Sequence, residues 1–163
     1  MPNWTFCDMH CDTPEMWQRV MPFLTGVNTE GKECELTFNN VVPMPQYVFT
    51  GDLGREEEKR FGTDNCWYCW SLKHWGCKWD ASEVNMWEAG CTFETPWSPP
   101  AAWFVALAEA LGNLDPGIVV DVRCDVEGDG WIDYQITDGE CTVTGSGDED
   151  RWSEDEDEDE DEE

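Results

Sequence analysis

The sequence predicts an α+β fold: a βαββαβ sandwich carrying an insertion, an extra C-terminal hairpin and a disordered acidic tail. Three observations predict it. Apolar residues recur at helical spacing in two places, around 17–24 and 103–111, and short strand-like runs flank both. Residues 66–100 hold six of the eleven tryptophans and four of the nine cysteines, a density that marks the core. The last ten residues are all acidic, a composition that cannot bury enough apolar surface to fold.

Residues 4–12 read as the first strand, with weak alternation that suggests both faces are partly covered. Thr13 then caps a helix with Pro14 at its first position and Glu15 in its first turn. Trp17, Val20, Met21 and Leu24 form its apolar face, and Pro22 predicts a kink or an end near Val20. Residues 34–38 form a short second strand, and 46–65 a polar surface excursion with a charged helix at 54–61. Asp64 caps a helix running to Trp75, closed by Gly76. Strands follow at 83–87 and 91–95. Ser98 caps a helix whose stripe is Trp103, Ala106, Leu107, Ala110 and Leu111, ended by Gly112. A strand over 117–126 precedes a hairpin of 131–136 and 140–143 around an Asp-Gly turn. This order predicts a ferredoxin-like sandwich over 1–144, with 145–163 as glycine hinge and acidic low-complexity tail.

Charge bounds the function. The formal net charge is −28, from 37 acids and 9 Lys or Arg. Residues 148–163 supply −12 of it, so the body is acidic at −16 without its tail. Such a surface repels phosphate, and so predicts no direct nucleic-acid partner and no anionic membrane. It attracts basic proteins and speeds their association. The N-terminus has no charged and apolar leader pattern, which predicts a cytoplasmic location with reduced thiols.

Four stretches carry a family resemblance: Met1-Pro2-Asn3-Trp4, FNNVVPMP at 38–45, WGCKWDA at 75–81 and TPWSPP at 95–100. In that order they resemble the YubB-type ferredoxin-like domain proteins of phages and plasmids, across roughly residues 1–143. The resemblance implies the ferredoxin-like fold and a mobile-element origin, in the cytoplasm of a host cell. It implies no catalytic residues, because the family has no established general activity. Cys77 stands where the family has a threonine, Pro22 is atypical, and the tail lies outside the match.

Few chemistries find support. Cys66, Cys69, His74 and Cys77 have the ligand types of a Cys₃His zinc site. Their spacing has two residues where a zinc knuckle has four, and on a helix His74 and Cys77 lie beyond the first pair. A tryptophan-rich core helix with buried thiols fits better. Asp125, Glu127, Asp129 and Gly130 mimic the start of a calcium loop, but Ile136 stands where the bidentate Glu is needed. No nucleophile elbow, phosphate loop or dinucleotide fingerprint occurs. The reading is therefore of no enzyme and no cofactor.

Partner contacts are expected at Trp75, Trp79 and Trp97, which sit at turns, and in the tail. There Trp152 could dock in an apolar pocket while Glu154, Asp155, Glu156, Asp157, Glu158 and Asp159 meet a basic groove. An extended acidic run places a charge every ~3.3 Å, close to the ~3.4 Å of one DNA strand. A solubilising tail without a partner is the competing reading. The sequence thus points to a non-catalytic accessory protein that binds and inhibits a basic host protein, such as a defence or nucleic-acid-binding factor. A small zinc- or nucleic-acid-binding domain built on the Trp/Cys helix is the alternative.

Overall fold

Strand-period burial shapes the start of the chain. The computed structural model describes residues 3–51, 54–62 and 65–148. In β1 (Trp4–His10), Thr5, Cys7 and Met9 are buried, while Trp4, Phe6, Asp8 and His10 are half-exposed. The alternation is cleaner than expected, because only one face of the strand meets a helical layer.

Thr13 Oγ1 accepts a hydrogen bond from Met16 N–H and starts α1 (Pro14–Leu24). The helix does not stop near Val20. It runs to Leu24 with Pro22 inside, because Trp17, Val20 and Leu24 all reach the core and only one bond of the last turns is forgone. Asn40 Nδ2 donates to the Pro22 carbonyl at 2.9 Å. β2 (Gly26–Val27) and β3 (Glu33–Cys34) then form a two-stranded ribbon. The strand expected at 34–38 is only its first residue. Beyond it Leu36, Thr37 and Phe38 are buried in irregular backbone, since the Asp80 carboxylate, not a neighbouring strand, takes the Phe38 N–H at 2.8 Å.

The insertion is less superficial than its polarity suggested. Val48 is buried, and Phe49 exchanges backbone bonds with Asn65 and Trp67. Phe49 also stacks on Phe61 at the end of α2 (Arg55–Phe61). In α3 (Trp67–His74) the cap position is Cys66, which makes no side-chain cap bond; the expected cap, Asp64, lies outside the described residues. Gly76 does follow the helix in left-handed geometry, φ +92°. A Cβ there would lie 2.9 Å from Ala101 N, so glycine also lets this loop touch the next helix.

β4 (Ser82–Trp87) and β5 (Gly90–Pro96) form a hairpin. α4 (Ala101–Leu114) begins after Pro100 rather than being capped by Ser98, whose hydroxyl donates to the Gly76 carbonyl at 2.8 Å. Its buried stripe is Trp103, Phe104, Leu107, Ala108 and Leu111. Gly112 does not end it. A Cβ at 112 would fall 2.4 Å from Gly139 Cα, so this glycine lets α4 close on a sheet turn. β6 (Val120–Val126), β7 (Gly130–Thr137) and β8 (Glu140–Gly147) complete the chain. Asp138 and Gly139, both at positive φ (53° and 76°), make the β7–β8 turn. The expected hinge at 145–147 is part of β8. Its glycines leave room for Trp131, whose Nε1 would lie 2.5 Å from a Cβ at 147.

The fold is α+β, with one six-stranded antiparallel sheet in the order β4-β5-β1-β6-β7-β8. That complete order is not the four-strand order of a ferredoxin-like sandwich, since β7 and β8 extend it. One face of the sheet packs Cys7, Met9, Phe93, Val122 and Cys124 against Trp17, Phe38, Trp103 and Leu107. At about 25 cal/mol per Å² of apolar surface, each buried tryptophan or phenylalanine contributes a few kcal/mol. No helix among the described residues is long and apolar enough to cross a membrane.

Candidate functional site

The outer face of the sheet is built by the residues that β1, β5, β6 and β7 turn away from the core. Strand register places them in rows. Glu94, Phe6, Asp125 and Trp131 form one row, and Thr92, Asp8, Arg123 and Asp133 the next. His10, Asp121 and Gln135 form a third. At ~4.8 Å between strands and ~3.4 Å per residue, Glu94 and Asp121 lie about 17 Å apart, and Asp8 stands between them at roughly 8 Å from each. That is close to the physiological screening length, so their fields add.

Cations are few on this face. Arg123 makes a two-pronged bond to Asp133, 2.7 and 2.9 Å, and its guanidinium covers Trp131 at 4.4 Å. The His10 Nδ1 lies 3.7 Å from Asp8 Oδ1, an ion pair only when the imidazole is protonated. Aromatic surface is interleaved with the acids. His10 stacks on Trp87, which lies over Gly90, and Trp4 and Phe6 line a trough with Ser82, Glu83, Asn85 and Glu94.

A second aromatic cluster lies beside α3. Lys78 Nζ sits 4.4 Å from the ring centre of Trp79, 5.3 Å from Trp97 and 5.9 Å from Tyr68. Trp79 and Trp97 are 43% and 48% exposed. Trp97 takes left-handed backbone, φ +65°, a conformation that costs a bulky residue about 1–3 kcal/mol. Its N–H donates to the Asn3 carbonyl at 2.7 Å, which helps hold the turn. Trp75 is not a surface contact. It is 2% exposed, packs edge-on to Trp70 and Phe38, and donates through Nε1 to the Val42 carbonyl at 2.9 Å.

Beside this cluster an open cleft of about 410 Å³ is lined by Met44, Trp67, Ser71, Trp75, Lys78 and Asp80. Asp80 is the hub of its floor. Its carboxylate accepts from Thr37 Oγ1, Phe38 N–H and Ala81 N–H. Burial pushes this carboxyl above its usual range, and the three donors hold it down in part.

The zinc candidates are not assembled. The Cys66 thiol points to the Gly62 carbonyl and the Cys77 thiol to the Trp79 carbonyl. Cys69 is half-buried, and exposed His74 stacks on Trp70 with 4.6 Å between ring centres. Among the described residues no three His, Cys, Asp or Glu side chains are placed to hold a metal. Glu127 of the calcium-loop pattern instead turns back, its carboxylate accepting from Trp4 N–H. All nine cysteines are free thiols. Burial pushes Cys7, Cys77 and Cys91 well up, and Cys11 to about 11, opposite to what a nucleophile requires.

Trp152, Glu154, Asp155, Glu156, Asp157, Glu158 and Asp159 lie outside the described residues. The sequence reading missed the open face altogether. Its signal was the polar half of each strand's alternation, including Asp8, Glu94 and Asp121. No family model matches this chain, and no curated protein or solved structure matches it either.

Proposed function

We propose that this chain is a non-catalytic binding protein. It engages a basic host protein, such as a defence or nucleic-acid-binding factor, and blocks the surface that protein offers to phosphate. One observation carries the reading: the outer sheet face interleaves carboxylates with aromatic rings, and its one arginine is already paired with Asp133. Carboxylates steer a cationic partner in, while Trp4, Phe6 and Trp87 supply desolvated contact. The acidic tail adds −12 next to this sheet's last strand in sequence.

The four strands β4-β5-β1-β6, all antiparallel, with α1 and α4 on one side, support a ferredoxin-like unit widened by β7 and β8. That reading in turn supports kinship with the YubB-type proteins of phages and plasmids. A host cytoplasmic setting and a counter-defence role follow from it.

The test uses the full chain, the chain lacking residues 148–163, and a D8N/E94Q/D121N variant. Each is immobilised and exposed to host lysate at 0.1 and 0.5 M salt. A basic nucleic-acid-binding protein is expected on the full chain at low salt, displaced by oligonucleotide and weakened at least tenfold by each change. Retention that ignores salt, tail and the three carboxylates refutes charge mimicry.

A further inference from the structure

We infer that Tyr68, Trp79 and Trp97 form an aromatic cage for an alkylammonium side chain of the partner, and that Lys78 occupies it in the free protein. The inference deepens the reading of a basic partner by naming a specific receptor for one of its cations.

Lys78 is unusual for its surroundings. The chain holds 37 carboxylates, yet among the described residues no ion pair is formed by this ammonium. Three rings hold it instead, all within 6 Å of Nζ. A cation is drawn to ring faces by the negative quadrupole, and desolvation strengthens the attraction. The rings come from separate places: Tyr68 from α3, Trp79 from the loop after it, and Trp97 from the turn after β5. Only the fold brings them together.

Two features argue against a merely structural clamp. Trp79 and Trp97 remain nearly half exposed, so the cage opens to solvent rather than closing over the lysine. Trp97 is held in left-handed backbone where a glycine would be unstrained, yet the position carries a tryptophan whose ring stands 5.3 Å from Lys78 Nζ. Lys78 also lines the open cleft next to the cage, together with Glu30 and Asp80. The cleft gives the displaced lysine a carboxylate-bearing place to go. A lysine or methylated lysine of the partner then takes its position among the rings.

The probe is Nε-trimethyllysine amide, with its neutral tert-butyl isostere as control, titrated into the full chain and followed by tryptophan fluorescence and calorimetry. Partner identity is irrelevant to this readout, so it can fail while the mimicry reading stands, or the reverse. K78A should bind the ammonium about tenfold more tightly than the natural chain, and the isostere at least fivefold more weakly than the ammonium. Adding W79A or W97A to K78A should remove the gain. K78Q, which keeps two of the four stem methylenes and removes the charge, should show the same order if K78A loses its near-ultraviolet dichroism. Equal affinity for ammonium and isostere, or no gain on losing Lys78, overturns the cage.

Discussion

Raising the pH should unfold this protein well before its backbone chemistry is at risk. Four buried thiols, Cys7, Cys11, Cys77 and Cys91, have their ionisation pushed above the ordinary 9.0, each chiefly by desolvation. In the unfolded chain they release protons near pH 9, while in the folded chain they keep them. The unfolded state then binds fewer protons, so stability falls as pH rises. The stabilisation is complete below about pH 8 and drains away between the unfolded value near 9 and the raised folded values.

At pH 10 an unfolded thiol with a value of 9.0 is ten parts ionised to one, worth about 1.4 kcal/mol of relative stabilisation of the unfolded state. Four such groups shift the balance by about 5–6 kcal/mol, the whole stability of a modest domain. Urea titrations followed by tryptophan fluorescence at pH 7.5, 9 and 10 measure the effect. The midpoint should drop steeply above pH 9, and C91A should flatten the drop by about one thiol's share, ~1.4 kcal/mol at pH 10. A midpoint unchanged from 7.5 to 10 would refute the claim that these thiols are sealed in the core.

Replacing Gly112 by alanine should destabilise by about 1–3 kcal/mol, although helix propensity alone favours alanine by ~1 kcal/mol; the new Cβ meets Gly139 backbone that cannot swing aside, and a raised melting temperature would sink the argument. D80A should cost about 2–4 kcal/mol in urea titrations, because it strands the Phe38 and Ala81 N–H groups and the Thr37 hydroxyl at once. With Ellman's reagent at pH 8, at most Cys34, Cys69 and Cys141 should react in the folded state, and Cys141 slowly, since burial lifts its thiol to about 11. The other six should appear only on adding denaturant.

The parts of this fold that were legible in sequence are those set by local chemistry. Thr13 and Pro14 announce α1, the 103–111 stripe announces α4, and Asp138-Gly139 announces the last turn, because each acts through its immediate neighbours. The misreadings share the opposite cause. Pro22 is tolerated because Leu24, one turn on from Val20, has a core to enter. Gly112 reads as a helix end but is a contact point with Gly139, 27 residues away. Residues 36–38 look like a strand until the Leu24 carbonyl takes the Thr37 N–H and Asp80 the Phe38 N–H. Trp75 resembles a turn tryptophan, yet its indole fills the space between Trp70 and Phe38. Trp79 and Trp97 were legible as exposed rings, but nothing in their spacing reveals that Lys78 and Tyr68 join them.

The open face explains why charge, rather than fold, decides what such a sheet can hold. A bare antiparallel face with aromatic rings on its central strands is a platform on which bases can stack, provided cations nearby hold the phosphates. Here Trp4 and Phe6 provide the rings on β1, but Phe6 stands between Glu94 and the buried Asp125 across the strands, and the Glu127 carboxylate holds the Trp4 N–H. Those carboxylates would set each incoming phosphate beside a like charge, with no released counterions to compensate. Reverse the sign of the partner and the same lattice becomes favourable: a lysine or arginine stem can lie along the rings while its head reaches a carboxylate. Converting Glu94 and Asp121 to lysine would therefore do more than weaken binding to a basic protein. Filter binding of the E94K/D121K chain should reveal oligonucleotide affinity that falls as salt rises, where the natural chain should show none. If the doubly substituted face still ignores oligonucleotides at low salt, sheet geometry rather than charge sets its choice of partner, and the acidic lattice loses the role assigned to it.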